Sequence, residues 1–171
     1  MVRALILFFL VSAESVSAQS FEERLQVFAD DLEACFYTGD TVQAQKDCIG
    51  DMAANCMDAE EGGHTTIGMS MCLSNEAEVW DGLLNREYKA TMAWAKAADE
   101  DESEHFPEYA NRAQALRAAQ RAWIGFRDAE CELSYTLWGA GSMRHIAGSD
   151  CIMEMTAERA IELRAMREPF E

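Results

Sequence analysis

Apolar positions recur three and four residues apart along the chain, and no useful stretch alternates with a period of two. Phe21, Leu25, Phe28, Leu32, Cys35 and Phe36 mark one face of a helix over Ser20–Tyr37. Gly39-Asp40 ends it. Asp40, with Gln43 three residues on, has the form of a capping box that opens a second helix to about Met57. Glu60-Glu61-Gly62-Gly63-His64 reads as a loop. The spacing of Cys72, Leu73, Ala77, Trp80, Leu84, Tyr88, Met92 and Ala95 then predicts a long helix from Thr66 to Ala98. The acidic run Asp99-Glu100-Asp101-Glu102-Ser103-Glu104 reads as a solvated inter-helix segment. Pro107 fits the first turn of a helix that runs to about Leu137. Its marked face is Leu116, Gln120, Trp123, Arg127 and Cys131. Trp138 to Ser149 holds Gly139, Gly141 and Gly148 and reads as a loop. Ser149 or Asp150 caps a last helix from Cys151 to about Arg167, with Met155, Arg159, Leu163 and Met166 inward. The expected fold is all-α, a bundle of about five helices. It forms a single domain over residues 19–171 with an N-terminal helical hairpin over residues 20–58.

The first eighteen residues have a different character. Arg3 supplies a positive start, and Ala4 to Val11 is apolar but too short to span a bilayer. Val16-Ser17-Ala18 places small residues before a cleavage point. Residues 1–18 therefore read as a signal peptide, with the mature chain starting at Gln19. No cysteine follows the apolar stretch, so a lipid-anchored form is not expected. No later apolar run is long enough to hold the mature chain in a membrane. The expected location is the periplasm.

Export changes the reading of the cysteines. The chain carries six, an even number, and an oxidising compartment favours disulfides over metal ligation or nucleophilic use. Cys35 and Cys48 lie almost symmetrically about the break near Thr41, so antiparallel neighbours place them side by side. Cys56 and Cys72 flank the Gly62-Gly63 loop in the same way. Cys131 and Cys151 bracket the glycine-containing segment. These give three proposed bridges, each stabilising by about 3 kcal/mol.

Charge narrows the partners. The chain has 14 Lys+Arg against 31 Asp+Glu, a formal net charge of −17. Residues 1–18 hold one Arg and one Glu, so the mature chain keeps all of it. Nucleic acid and anionic lipid both call for a cationic face. Neither is an expected partner.

Chemistry-bearing constellations are sparse. No Ser/His/Asp or Cys/His arrangement stands out, so no catalytic residues and no enzymatic activity are expected. His64, His105 and His145 lack the helical spacing of a zinc pair. Met69-Ser70-Met71 and Met153-Glu154-Met155 sit in helical seams, where methionine fills core gaps. The acidic run lacks the glycine turn of a calcium loop. No metal or other cofactor is expected.

One stretch is more specific than a generic helix: Gln120-Arg121-Ala122-Trp123 followed by Arg127-Asp128-Ala129-Glu130-Cys131. Leu84-Asn85-Arg86-Glu87-Tyr88 precedes it. Gly141-Ser142 and Cys151 follow, with Thr156, Arg159 and Leu163 beyond. This series, over about residues 72–165, resembles the LprI-like family of exported bacterial proteins, named for a lipoprotein that inhibits lysozyme. The resemblance implies a lysozyme inhibitor. Asn85, Tyr88, Gln120, Trp123 and Arg127 are the family-motif positions. Physically they read as a buried polar cluster, with Arg127 on a carboxylate and with Asn85 and Gln120 bridging helices.

A basic lysozyme would be drawn to a strongly acidic protein. Tight inhibition also needs a rigid element that enters the substrate cleft. The Cys131–Cys151 segment is the expected element. Trp138 would be its apolar anchor, and Ser142, Arg144 and His145 would hydrogen-bond the enzyme's carboxylates. The alternative reading is a non-catalytic envelope adaptor or structural binding module.

Overall fold

The computed structural model describes residues 20–168. The export signal expected over residues 1–18 lies outside them. Six α-helices follow one another: α1 Phe21–Thr38, α2 Val42–Lys46, α3 Asp51–Ala59, α4 Thr66–Ser103, α5 Arg112–Thr136 and α6 Met143–Ala165. No strand occurs among the described residues, and the fold is the expected all-α bundle.

Most helix starts have an identifiable cause. Ser20 opens α1 with a full capping box, its hydroxyl accepting from the Glu23 N–H while the Glu23 carboxylate accepts from the Ser20 N–H. At α2 the cap is Thr41 and not Asp40, since the Thr41 hydroxyl accepts from the Ala44 N–H at 3.1 Å. The single second helix expected to Met57 is two helices. Gly50 breaks it at φ +92°, a left-handed conformation that glycine adopts at little steric cost. The fresh α3 N-terminus is capped from another helix. Buried Glu76 of α4 accepts from the Gly50 N–H at 2.7 Å and from the Ala53 N–H at 2.8 Å. Its carboxylate also accepts from the Trp80 indole N–H at 2.8 Å.

The acidic run is not a linker. It is the last turn of α4, which reaches Ser103 rather than Ala98. Asn111 makes no side-chain cap at α5. Instead Asp99 accepts from the backbone N–H groups of Arg112 and Ala113 at 2.8 and 2.9 Å. Glu102 pairs with the Arg112 guanidinium at 2.7 Å. Pro107 heads a separate 3₁₀ turn, Pro107–Tyr109, and α5 starts after it. The N–H donors, the Ala113 one first, hold the Asp99 carboxyl below its usual range. A depressed pKa contributes stability that is present above about pH 4 and lost as pH falls through the lower folded value. Asp99→Ala is therefore expected to lower the melting temperature by about 2–4 °C at pH 7. In thermal scans that gap closes as the pH is taken down through the folded-state value of the Asp99 carboxyl.

The last helix starts at Met143, well before Cys151. Glycine misleads here. A Cβ at Gly148 would lie 3.2 Å from the Tyr135 ring, so this residue lets α6 approach α5 rather than bend a loop. The connection between α5 and α6 shrinks to a tight turn over 137–142, with Gly139 at φ +53°.

α4 is the axis of the bundle, about 57 Å long at 1.5 Å per residue. α6 runs parallel to it. Ser70 meets Ser149 at one end, and the Thr91 hydroxyl donates to the Leu163 carbonyl at 2.7 Å near the other. Arg167 closes that end, donating to the Thr91 hydroxyl and pairing with the buried Glu87 carboxylate. α5 returns antiparallel to both helices. The core centres on Phe36, Trp80, Leu83, Ile161 and Leu163, all essentially inaccessible. Phe36 meets Trp80 edge-on at 5.6 Å, and the Arg164 guanidinium lies over Phe36 and Tyr37, tying α1 to α6.

Three disulfides staple this arrangement: Cys35–Cys48, Cys56–Cys72 and Cys131–Cys151. They are the pairs that hairpin symmetry gives. No described residue belongs to a helix long and apolar enough to cross a membrane.

Candidate functional site

Two regions gather the residues singled out in the sequence. The first is the motif cluster. Gln120 and Trp123 come from the middle of α5 and Arg127 from one turn further on. Gln120 accepts from Arg159 of α6 at 3.0 Å, and Arg159 also pairs with Glu162 at 3.0 Å. Arg127 donates to the Thr156 hydroxyl at 3.2 Å and pairs with its neighbour Asp128 at 2.8 Å. Both guanidinium groups lie over the Trp123 ring, at 5.2 and 5.9 Å from its centroid. The cluster clasps α5 to α6. Asn85 takes no part in it. Its amide donates to Asp81 on its own helix at 2.9 Å and bridges nothing. The reason is exposure: Asn85 stands at the solvent edge of α4, too far out to be enclosed.

Beside the clasp runs a cleft of about 390 Å³ between α4 and α5. Asn85, Tyr88, Gln120 and Arg127 all line it, joined by Arg117 and Arg121. A second hollow of about 430 Å³ shares Asp81 and Arg127 with it and reaches Ser149 and Thr156. Four of the five motif positions thus face one concave surface. Trp123 is the exception.

The second region is the tip of the α5–α6 hairpin. The Cys131–Cys151 bridge crosses it two turns below the apex. Leu137 and Trp138 stand at the apex, 77 % and 50 % exposed, with Met143 also exposed beside them. Ser142 sits at the α6 N-terminus with its hydroxyl making no cap. Arg144 and His145 are less free than a loop would leave them. The Arg144 guanidinium lies over Tyr135 at 5.3 Å and donates to the Gly139 carbonyl at 3.4 Å. The His145 ring meets Tyr135 edge-on at 5.5 Å. The tip is a tight six-residue turn followed by the first turn of α6, where Arg144 and His145 lie against Tyr135.

Sequence reasoning missed one component. Met143, Asp150, Glu154 and Glu158 share a face of α6, so a ridge of three carboxylates descends from the tip. Burial pushes the Asp150 carboxyl up. Burial, then Asp150 and Glu158, do the same to Glu154. Like charges four residues apart repel in the free protein. Lys46 offsets the far end, pairing with Glu158 at 3.1 Å. The i, i+4 spacing of the three acids was the available signal. Among the described residues no group of three or more His, Cys, Asp or Glu is placed to hold a metal ion.

Comparison with known proteins bears on the part of the bundle from the end of α3 to α6. The model of the family described as "Lysozyme inhibitor LprI" matches residues 56–163. An uncharacterized protein of Rhizobium meliloti (strain 1021) is 35 % identical over 105 residues, covering 61 % of this chain and 76 % of the relative. No solved structure matches the chain.

Proposed function

The chain belongs to the lysozyme inhibitor LprI family, and from that premise we propose that it is an exported, periplasmic protein that inhibits lysozyme. The α5–α6 tip enters the substrate cleft of the enzyme, and the acidic surface draws a basic enzyme toward it. The observation that carries this reading is the tip itself. An exposed Trp138 and Leu137 stand on a tight turn closed by backbone hydrogen bonds from Gly139 to Thr136 and from Gly141 to Trp138, between two helices that a disulfide joins. A pre-ordered anchor of this kind loses little entropy on docking. The Asp150–Glu154 ridge continues from it, and a cationic partner would relieve its internal repulsion. Inhibition on this account is steric and involves no chemistry on the lysozyme.

Clearance of a peptidoglycan suspension tests the reading. Micromolar purified protein should slow clearance by at least one lysozyme type. Raising the salt from 50 to 500 mM should weaken inhibition, since screening removes the steering field. Arg144→Ala removes the stack on Tyr135 and loosens the turn, so its inhibition constant should rise by about tenfold. Unchanged clearance across several lysozyme types would sink the reading.

A further inference from the structure

The outward side of α5 carries a feature that neither the bundle nor the tip uses. Ala115, Ala119, Ala122, Phe126, Ala129 and Leu133 follow one another at alternating steps of four and three, and all are exposed. Leu137 continues the line. That is a heptad seam, the spacing by which one helix packs along another. Phe126 is 58 % and Leu133 50 % exposed, so the seam lacks a partner within the chain.

Its two halves differ in a way that names the occupant. The first half is all alanine, and it borders an apolar hollow of about 310 Å³. Trp94, Ala95 and Met166 close that hollow beside Ala115 and Ala119. The second half presents large side chains. Charge divides along the same line. Arg121 flanks the first half and forms no ion pair among the described residues, whereas Glu130 and Glu132 flank the second, where Arg127 is taken up by Asp128. A surface with holes and an unpaired cation at one end, and knobs and carboxylates at the other, is its own complement when turned through two-fold rotation.

We infer that α5 pairs antiparallel with α5 of a second copy of this chain, with the two-fold axis at Phe126. In that register Leu133 meets the partner copy's first-half alanines at Ala119, and Leu137 enters the hollow at Ala115. Arg121 lies one residue, about 1.5 Å along the axis, from the level of Glu132 across the seam. Ala118 and Gly125 stand beside the seam on that side, and neither blocks the reach. The pairing and the lysozyme reading share Leu137, but the pairing rests on the α5 seam and asks nothing of Trp138.

Sedimentation equilibrium of the mature protein between 1 and 100 µM tests it. The expected mass is that of two chains at the upper end. Phe126→Glu, at an exposed position, should give a monomer with an unchanged far-ultraviolet circular dichroism spectrum. Arg121→Glu and Glu132→Arg should each weaken the dimer by at least tenfold in dissociation constant. The double variant, with the charges exchanged, should return to within about threefold of the parent. A wild-type monomer at 100 µM overturns the proposal. So does a dimer that survives Phe126→Glu, or a double variant no better than the singles.

Discussion

Glu76→Ala is expected to lower the melting temperature by about 10 °C. The Glu76 side chain is fully enclosed, and its carboxylate is the acceptor for three N–H donors: Gly50, Ala53 and the Trp80 indole. Two of these are the orphan donors of the α3 N-terminus, which no side chain of α3 itself satisfies. Alanine leaves all three donors without that acceptor. A hydrogen bond to a charged group contributes about 1.5–3 kcal/mol. The sum is offset because the variant no longer buries a carboxyl. Burial pushes the Glu76 pKa up although the three donors pull it down, so enclosing the charge is costly. A net loss of about 3–5 kcal/mol corresponds to about 8–15 °C for a domain of this size. Glu76→Gln keeps one acceptor atom and should fall between the two. Glu78→Ala, on the exposed side of the same helix, should shift the melting temperature by less than about 2 °C. If Glu76→Ala melts like the parent in differential scanning calorimetry, the capping role is wrong.

Trp138→Asp should raise the inhibition constant for lysozyme by about 100-fold and leave the melting temperature nearly unchanged. The size follows from position. Buried aromatic anchors at the centre of an interface dominate binding, and a carboxylate in their place is desolvated without a partner. Stability is spared because Trp138 is 50 % exposed and stands outside the core. Ser142→Ala should have a smaller effect, since its hydroxyl caps nothing in the free protein and is lost as a single exposed donor.

The helices and the disulfide pairs were legible because they follow from local spacing. The Cys pairs each straddle a short break, and a hairpin leaves them few other neighbours. What was misread depended on distant partners. Gly148 looked like a loop residue, yet its reason is Tyr135, thirteen positions back and one helix away. Asp99 looked like one acid among several, but it caps a helix that starts thirteen residues later. Glu76 was invisible for the same reason, since a carboxylate in a helical seam reads as surface. Buried Gln120 and half-buried Trp123 and Arg127 lie on the face that periodicity marked. Asn85 does not join them, because it lies on the solvent side of the cleft. At the tip, Trp138 and Ser142 lie in the short turn and Arg144 and His145 in the first turn of α6, not in one long loop. The acidic ridge beside them needed the α6 start to be placed correctly first.

The central claim is that an exposed, disulfide-fixed hairpin tip blocks lysozyme. The most direct measurement is the rate of peptidoglycan clearing by lysozyme, with equimolar parent protein or equimolar Trp138→Asp, at low salt. The account predicts that the parent slows clearing and that the folded variant does not. Equal inhibition by the two proteins, or no inhibition by either across lysozyme types, would contradict it.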